Sequence, residues 1–508
     1  MRTHREIEVK LEVPPEATLP DLAVLPGVAA VDGPEVCTLE AVYLDTPDLR
    51  LARARTTLRR RAGGPDAGWH LKLPVSAHER TEHHMPLGSA AGTVPAELTT
   101  HIRARVREAP LAPVVVLHTH RTVRRLRDTA GRVLAEVADD AVTARSPDAG
   151  DIVVDAWREW EVELVEGDRA LLTAALELLQ AGGGVVPART SKLARALGER
   201  LTDAVTGTDC EPVADGSAGA ALRSHLRTLR DELLERDPQV RRDEADAVHQ
   251  MRVATRQLRS ALATFRSLQE GEHAEPVRIE LGWLGGLLGV ARDAEVARAR
   301  LAELVAAEPA ELVLGPVGQR LDADRARAYR AAHQRVLKAL DSARYFRLLD
   351  GLDALVDAPL LTRAAIAPAA DVLPNRVHRD FKRLARAVDA ARSSPPGPRR
   401  DKRLHEARKA AKRTRYAAEA VIPTIGRPAE RFAYAAKALQ TLLGDHHDSV
   451  ELRAVLRRVG AAAHRDGEDT FTYGRLHALE QAHAERIEDQ LPKLWKQISA
   501  SRLRAWMR

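Results

Sequence analysis

Apolar and polar positions alternate in twos up to about residue 165 and recur in threes and fours from residue 219 onward. In HREIEVKLEV (4–13), Ile7, Val9 and Leu11 alternate with Glu6, Glu8 and Lys10. That is the period of a strand with one buried face. LEAVYLDT (39–46), TLRRR (57–61), WHLKLP (69–74), ERTEHHMPL (79–87), VVVLHTHRTVRRLRD (114–128), GRVLAEVADDAV (131–142) and WREWEVEL (157–164) read as further strands. Helices are expected across 94–107 and 168–181. From 219 the pattern predicts helices at 219–236, 243–269, 274–307, 318–340, 342–356, 371–392, 399–423, 427–443, 446–464 and 470–497. SSPPGP (393–398) interrupts them. Residues 203–219 are turn-rich and aperiodic, which marks a linker. The expected organisation is a domain over 1–203, a linker over 204–218 and a second domain over 219–505.

The polar face of the strands is densely charged with both signs. It carries Glu6, Glu8 and Lys10, Arg59 and Arg61, His70 and Lys72, Arg80, Glu82 and His84, Arg121 and Arg125, Glu136, and the set Glu159, Glu161 and Glu163. One reading is a solvated sheet with cross-strand ion pairs. The preferred reading is a closed antiparallel barrel whose charged face lines a tunnel. The predicted fold class is therefore α+β and multidomain. It has an N-terminal antiparallel β-barrel tunnel with flanking helices and a C-terminal all-α domain of two pseudo-repeated helical bundles. In such a tunnel arginine and lysine grip phosphoryl oxygens. Glu6, Glu8, Glu159, Glu161 and Glu163 can hold a hard divalent cation through oxygen. In ARTSKLARAL (188–197), Arg189 and Lys192 are placed to reach back into it.

The helical half repeats one device. In VHQMRVATRQLRSAL (248–262), His249, Arg252, Arg256 and Arg259 are spaced by 3, 4 and 3, so they share one helix face. His405, Arg408, Lys412 and Arg415 repeat that spacing residue for residue. Downstream, Arg292 and Asp293 in WLGGLLGVARDAEV answer to His447 and Asp448 in LQTLLGDHHDSV. The aspartate follows the first histidine by 44 residues in one copy and 43 in the other. An ordered match at one separation indicates an internal repeat. VHRDFKRL adds His378, Arg379, Lys382 and Arg383. Neither stripe has acidic residues in the intervening i+3 or i+4 slots, so an anion is expected opposite each. Asp293 and Asp448 are read as orienting the basic side chains.

Composition narrows the partner. The net charge of +6 is small for 508 residues, so clustering matters more than the total. Aromatic residues are 3%, which disfavours base stacking, and no recognition helix follows a tight turn. Nucleic acid is thus disfavoured against a thin, sequence-less polyanion such as polyphosphate. Two cysteines cannot build a disulfide framework. No apolar run is long enough to span a bilayer and MRTHREIEVK is not a secretory signal, so a cytoplasmic protein without membrane partners is expected. The oligomeric state stays open.

Both halves resemble known families. EIEVK matches the ExExK signature of the CYTH family of triphosphate tunnel metalloenzymes. YLDT, Arg59 and Arg61 in LRRR, Lys72 in HLKL, Arg80 and Glu82 in ERTE, Arg121, Arg125, Glu136, EWEVE and Lys192 in RTSK look like its tunnel residues. Residues 219–505 resemble CHAD, the conserved-histidine α-helical domain, which binds inorganic polyphosphate and can bring proteins to polyphosphate granules. The resemblance implies a Mg2+- or Mn2+-dependent inorganic triphosphatase joined to a polyphosphate-binding domain. Glu6, Glu8, Glu159, Glu161 and Glu163 would hold the metal, and Arg59, Arg61, Lys72, Arg80, Arg121 and Arg125 the triphosphate. Lys10 and Lys192 would touch the terminal phosphates or orient water. His249, Arg252, Arg256, Arg259, Arg292, His378, Arg379, Lys382, His405, Arg408, Lys412, Arg415 and His447 would bind polyphosphate. The alternatives are a non-catalytic, granule-targeting protein and a nucleoside- or thiamine-triphosphatase or adenylyl cyclase.

Overall fold

The computed structural model describes residues 1–76, 79–88, 92–147, 152–188, 191–206 and 214–507. Contacts divide the chain into two compact units, Met1–Thr208 and Asp209–Arg508. Of the linker expected at 204–218, residues 207–213 lie outside the described residues, as does Arg189.

Among the described residues the first unit has eight strands: β1 (Arg2–Val13), β2 (Ala30–Asp45), β3 (Thr57–Ala62), β4 (Gly68–Pro74), β5 (Glu79–Met85), β6 (Ala112–Arg127), β7 (Val133–Ser146) and β8 (Ile152–Leu164). The neighbours are antiparallel, and the order β1-β5-β4-β3-β2-β6-β7-β8 returns to β1.

The expected barrel needs a correction at β1. A continuous closed ladder would have a level at which β1 is paired on both edges. Instead Arg2–Ile7 pair with β5 and Glu8–Val13 pair with β8, so no residue of β1 has a partner on both sides. The cause is where the neighbours stop. β5 begins at Glu79, opposite Ile7. β8 ends at Leu164, one residue past Glu163, which stands opposite Glu8. The ring of strands thus meets at a seam in β1, where the partner changes from β5 to β8 between Ile7 and Glu8.

Alternation decides what each face meets. Val9, Leu11 and Val13 point outward with Leu126, Val137, Trp160 and Val162. They pack on Leu171, Leu172, Ala175 and Leu179 of a helix at Arg169–Ala181. On the other flank Leu58, Trp69 and Leu71 pack on Leu98, Ile102 and Val106 of a helix at Ala96–Val106. In chain order these helices are α1 (Ala96–Val106) and α2 (Arg169–Ala181), and α3 is Lys192–Leu197. α3 does not flank the sheet. Its Leu193 and Leu197 join Tyr43, Val115, Leu117, Val142 and Trp157, which share strand faces with the charged lining. α3 thus covers one end of the charged interior. Ser191 caps it by accepting from Ala194 N–H at 3.1 Å.

The second unit is helical. Its main helices are α4 (Ala218–Arg241), α5 (Ala247–Thr264), α6 (Gly271–Ala306), α7 (Val317–Leu340), α8 (Ala343–Asp357), α9 (Ala369–Arg392), α10 (Pro398–Ala420), α11 (Arg427–Arg465) and α12 (Phe471–Ile498). The helices expected at 427–443 and 446–464 are one continuous helix, α11. A glycine is tolerated inside a helix at a cost of about 1 kcal/mol relative to alanine, and Arg408 packs against Gly444. β2 also begins earlier than its apolar run, at Ala30, because a register shift between Asp32 and Glu35 absorbs Gly33 and Pro34. No described helix is long and apolar enough to cross a membrane.

The seat of α3 can be tested directly. Leu197 is buried, at 2% exposure. Leu197→Ala is expected to lower the stability of the first unit by about 2–5 kcal/mol, read by urea unfolding. A change below about 1 kcal/mol would mean that α3 is not packed there.

Candidate functional site

The charged face of the first unit surrounds a cavity of about 290 Å³. β1 contributes Glu6, Glu8 and Lys10; β3, Arg59 and Arg61; β4, His70 and Lys72; β5, Arg80, Glu82 and His84. Arg121, Glu136, Glu161 and Glu163 come from β6, β7 and β8, and Lys192 from α3. Arg125 is not in the lining. Its guanidinium is held by Glu35 at 2.7 Å and Glu136 at 2.8 Å.

Glu161 is the hub of the inner end. It accepts from Lys10, from Lys192 Nζ at 2.6 Å and from Arg121 Nη2 at 2.5 Å. Burial alone would raise its pKa; these three cations outweigh it and hold Glu161 well below the usual carboxylate range. Lys192 Nζ also lies 2.8 Å from Asp140 and 2.7 Å from Glu159. Asp140 was not anticipated. It is fully buried and grips Arg121 through both oxygens, at 2.8 and 2.6 Å. The signal was present: Asp140 follows Glu136 by four residues in β7, on a face otherwise made by Leu134, Ala138, Val142 and Ala144. Tyr43, whose hydroxyl accepts from Arg59 at 3.2 Å, and the histidines 4, 70 and 84 also line the cavity.

Two sets of carboxylates bear on metal binding. Asp140, Glu159 and Glu161 are buried, with donor oxygens all within 4.8 Å of one another, so they can coordinate a divalent cation. The ammonium of Lys192 now sits among them. Further along, Glu6 and Glu8 on β1 stand beside Glu163 on β8. Glu6 Oε1 takes Lys72, whereas its buried Oε2 has no hydrogen-bond partner. Glu8 pairs with Lys10 at 2.9 Å. Burial, and then the charges of Glu6 and Glu8, push Glu163 up to about 7. An orphaned carboxylate oxygen beside an acid that resists ionisation is a place where a divalent cation fits.

In the second unit the stripes of α5 and α10 meet. Arg252 lies against Gly289 and reaches Asp293 at 3.3 Å; Arg408 lies against Gly444 and reaches Asp448 at 3.8 Å. Lys412 is 8% exposed, and its pKa falls to about 6 through burial and the charges of Arg256, Arg408 and Arg252. Burial, with Arg252 and Arg408, likewise lowers Arg256 to about 10. Arg256, Arg259 and Lys412 line a cavity of about 230 Å³ with Ser260, Arg278, Lys409, Arg413 and Tyr416, and no carboxylate lines it.

Other stripe residues have different surroundings. Arg415 turns to Glu419 at 2.7 Å and Gln440 at 3.1 Å, so the stripe does carry one i,i+4 acidic partner after all. His405 and His447 face each other with Nδ1 atoms 3.2 Å apart, and burial lowers His447 to about 3. His249 faces Arg292, which pairs with Glu295 at 2.9 Å. Arg379, Lys382 and Arg383 are exposed on α9 and do not line that cavity.

Residues 4–197 match the CYTH domain family and residues 220–457 the CHAD domain family. Two uncharacterized proteins of Mycobacterium tuberculosis, MT2285 (strain CDC 1551) and Rv2226 (strain H37Rv), are each 40% identical over 503 residues. The match covers 96% of this chain and 95% of theirs. Among solved structures, PptA from Streptomyces chartreusis is similar at 25% identity and a TM-score of 0.46, over 55% of this chain and 99% of that one. The CHAD domain from the plant Ricinus communis is similar at 23% and 0.45, over 58% and 96%.

Glu163 gives a pH test. A carboxyl with a raised folded-state pKa stabilises the fold below its unfolded value near 4.5 and loses that contribution as pH climbs toward 7. Glu163→Gln should therefore raise the thermal midpoint of the metal-free first unit at pH 8 and leave it unchanged at pH 4.5. Saturating Mg2+ should erase the difference at pH 8. An equal shift at both pH values would refute the assignment.

Proposed function

The chain belongs to the CYTH–CHAD proteins, a CYTH domain followed by a CHAD domain, and from that premise we propose a divalent-metal-dependent inorganic triphosphatase whose helical unit holds inorganic polyphosphate. The observation that supports this most is the meeting of both charge signs in one cavity. Carboxylates of β1, β7 and β8 share its lining with Arg59, Arg61, Lys72 and Arg80. Glu6, Glu8, Glu161 and Glu163, with Glu159, would hold a divalent cation, whose chemistry when bound would be Lewis-acid polarisation and a lower pKa for water.

The chain's own residues do the rest. Arg59, Arg61, Lys72, Arg80 and Arg121 hold phosphoryl oxygens and neutralise charge as the bond to the leaving diphosphate lengthens. Arg59 Nε and Arg61 Nε are buried without a partner, so donors are in place. Lys10, Lys192 and Arg121 are bonded to Glu161. Triphosphate oxygens would compete for these three cations and so free the Glu161 carboxylate. Positioning, with no covalent nucleophile, then carries the chemistry.

A second reading is a tunnel that binds without turnover. It rests on Lys192, which already fills the Asp140, Glu159 and Glu161 group. Turnover of triphosphate, ATP, thiamine triphosphate and long-chain polyphosphate with Mg2+ or Mn2+ separates the readings. Triphosphate alone fits the proposal, cyclic product from ATP a cyclase, and binding without turnover the second reading. Glu8→Gln should cut triphosphate hydrolysis at least about a hundredfold while the fold and polyphosphate binding persist. Full metal-dependent activity in that variant would sink the assignment.

In the helical unit Arg252, Arg256, Arg408 and Lys412 converge without enough carboxylate to balance them, and a polyanion would relieve that repulsion. In the cell this would hold the enzyme on polyphosphate, granules included. Lys412 is mostly neutral above pH 6 in the empty site, and a bound polyanion would return it to the charged form. Binding near pH 7.5 should then take up close to one proton, seen as a calorimetric heat that changes with the buffer's ionisation enthalpy. Arg252→Glu combined with Arg408→Glu should abolish binding at physiological salt. Unchanged affinity, or no buffer dependence, would count against the site.

A further inference from the structure

Three helices of the second unit bring metal-ligating side chains to one point. Asp401 sits in the first turn of α10, His446 on α11 and Glu488 on α12. One donor atom of each lies within 4.8 Å of the other two. His446 is the buried member, at 2% exposure. Its Nε2 is 3.1 Å from Glu488 Oε1 and 3.6 Å from Asp401 Oδ1. Ligands of a tetrahedral zinc ion, each about 2.0–2.2 Å from the metal, stand roughly 3.3 Å from one another. The two distances bracket that separation.

Ion pairing alone accounts for these groups poorly. Arg400 Nε lies 2.8 Å from Glu488 Oε2, and Arg453 Nη2 lies 3.8 Å from Asp401 Oδ2. The second contact is too long for a hydrogen bond. Arg400 Nε and Arg453 Nε are both buried without a hydrogen-bond partner among the described residues. An imidazole Nε2 donates one proton or offers one lone pair, so it serves Glu488 and leaves Asp401. Asp401 meets His446 and Arg453 only at 3.6 and 3.8 Å. Each carboxylate thus turns one oxygen toward Nε2 and the other toward a guanidinium. A divalent cation at the meeting point would take the Nε2 lone pair and both inner oxygens together. The guanidiniums, 21% and 19% exposed, would keep the outer oxygens or turn to water, which screens their charge from the ion.

The cluster stands outside the repeated device. The register that sets His405 on His249 sets Asp401 on Ala245, and the register that sets Asp448 on Asp293 sets His446 on Ala291. The first copy thus has alanine at both positions. We propose that Asp401, His446 and Glu488 form a site for a divalent transition ion of the zinc kind, which clasps α10, α11 and α12 together. One imidazole nitrogen with two carboxylate oxygens suits Zn2+ better than Mg2+, which takes oxygen ligands. Water would fill the fourth position from the side where Asp401 and Glu488 are partly exposed. α10 starts at the end of the SSPPGP break, so the ion would anchor its first turn to two long helices. The site needs neither the triphosphatase reading nor polyphosphate.

The test titrates the full chain with Zn2+ in phosphate-free buffer, by calorimetry and by thermal melting of the helical circular dichroism signal. Tunnel carboxylates can also take Zn2+, so the readout is the difference between variants. Wild type and Glu8→Gln should share a zinc site that His446→Gln, Asp401→Asn and Glu488→Gln each weaken at least about a hundredfold. Zn2+ should raise the melting midpoint in the first two proteins by more than in the other three. Mg2+ should not reproduce that extra rise. Zinc binding that is equal in the wild type and all three ligand variants overturns the site, as does a midpoint that Zn2+ moves equally in all five proteins. If the three variants do not fold, wild-type crystals soaked in Zn2+ and measured on both sides of the zinc absorption edge decide. Anomalous density about 2.0–2.2 Å from His446 Nε2 supports the site; its absence there refutes it.

Discussion

Buried charge must be balanced, and both units are built around that constraint. A charged side chain removed from water without a partner costs several kcal/mol, or gives up its charge. The first unit meets the demand internally. Lys10, Lys192 and Arg121 surround Glu161 and also engage Glu8, Asp140 and Glu159. The second unit leaves the demand partly unmet. Lys412 and Arg256 sit among arginines, and their pKa values fall. The apolar elements, from Leu11 on α2 to Leu197 of α3, hold these charges where solvent cannot easily relieve them.

The two solutions suit different tasks. A tunnel whose cations and carboxylates neutralise each other is stable when empty, and it resists either guest alone. A polyanion by itself would leave Glu161, Glu159 and Asp140 without their lysines. A divalent cation by itself would leave Lys10 and Lys192 without carboxylates. Metal and phosphate arriving together would satisfy both halves, which would be a positive coupling between two ligands. The deficit of the helical site has one sign, so an anion of any length would relieve it. Arg252 and Arg408 lie against Gly289 of α6 and Gly444 of α11 while their tips reach Asp293 and Asp448.

Strand alternation made the lining of the tunnel legible before any coordinates, because a period of two cannot be shifted without exposing Val9, Leu11 and Val13. The 3, 4, 3 spacing made the stripes legible for the same kind of reason. What escaped were features set by partners distant in sequence. Asp140 depends on Arg121 and Lys192, which lie 19 and 52 residues away. The interruption at β1 depends on where β5 starts and β8 stops, which no property of EIEVK records. Arg125 carries the right charge and parity, yet Glu35 across the sheet draws it away from the cavity.

The repeat also shows how one scaffold carries unequal copies. Arg256 and Lys412 occupy matching positions, and lysine alone can lose its proton near neutral pH, because guanidinium holds its proton even when burial lowers its pKa. His405 meets His447 where His249 meets Arg292, so the second copy holds fewer fixed charges at the matching point. The first copy is therefore a fixed cation array. The second is an array whose charge rises when an anion arrives, since Lys412 can be protonated and both histidines can follow. Placed across one cluster, the fixed half supplies attraction at every pH, while the variable half strengthens only once the anion is seated. The empty site is spared part of the repulsion that the full charge would impose.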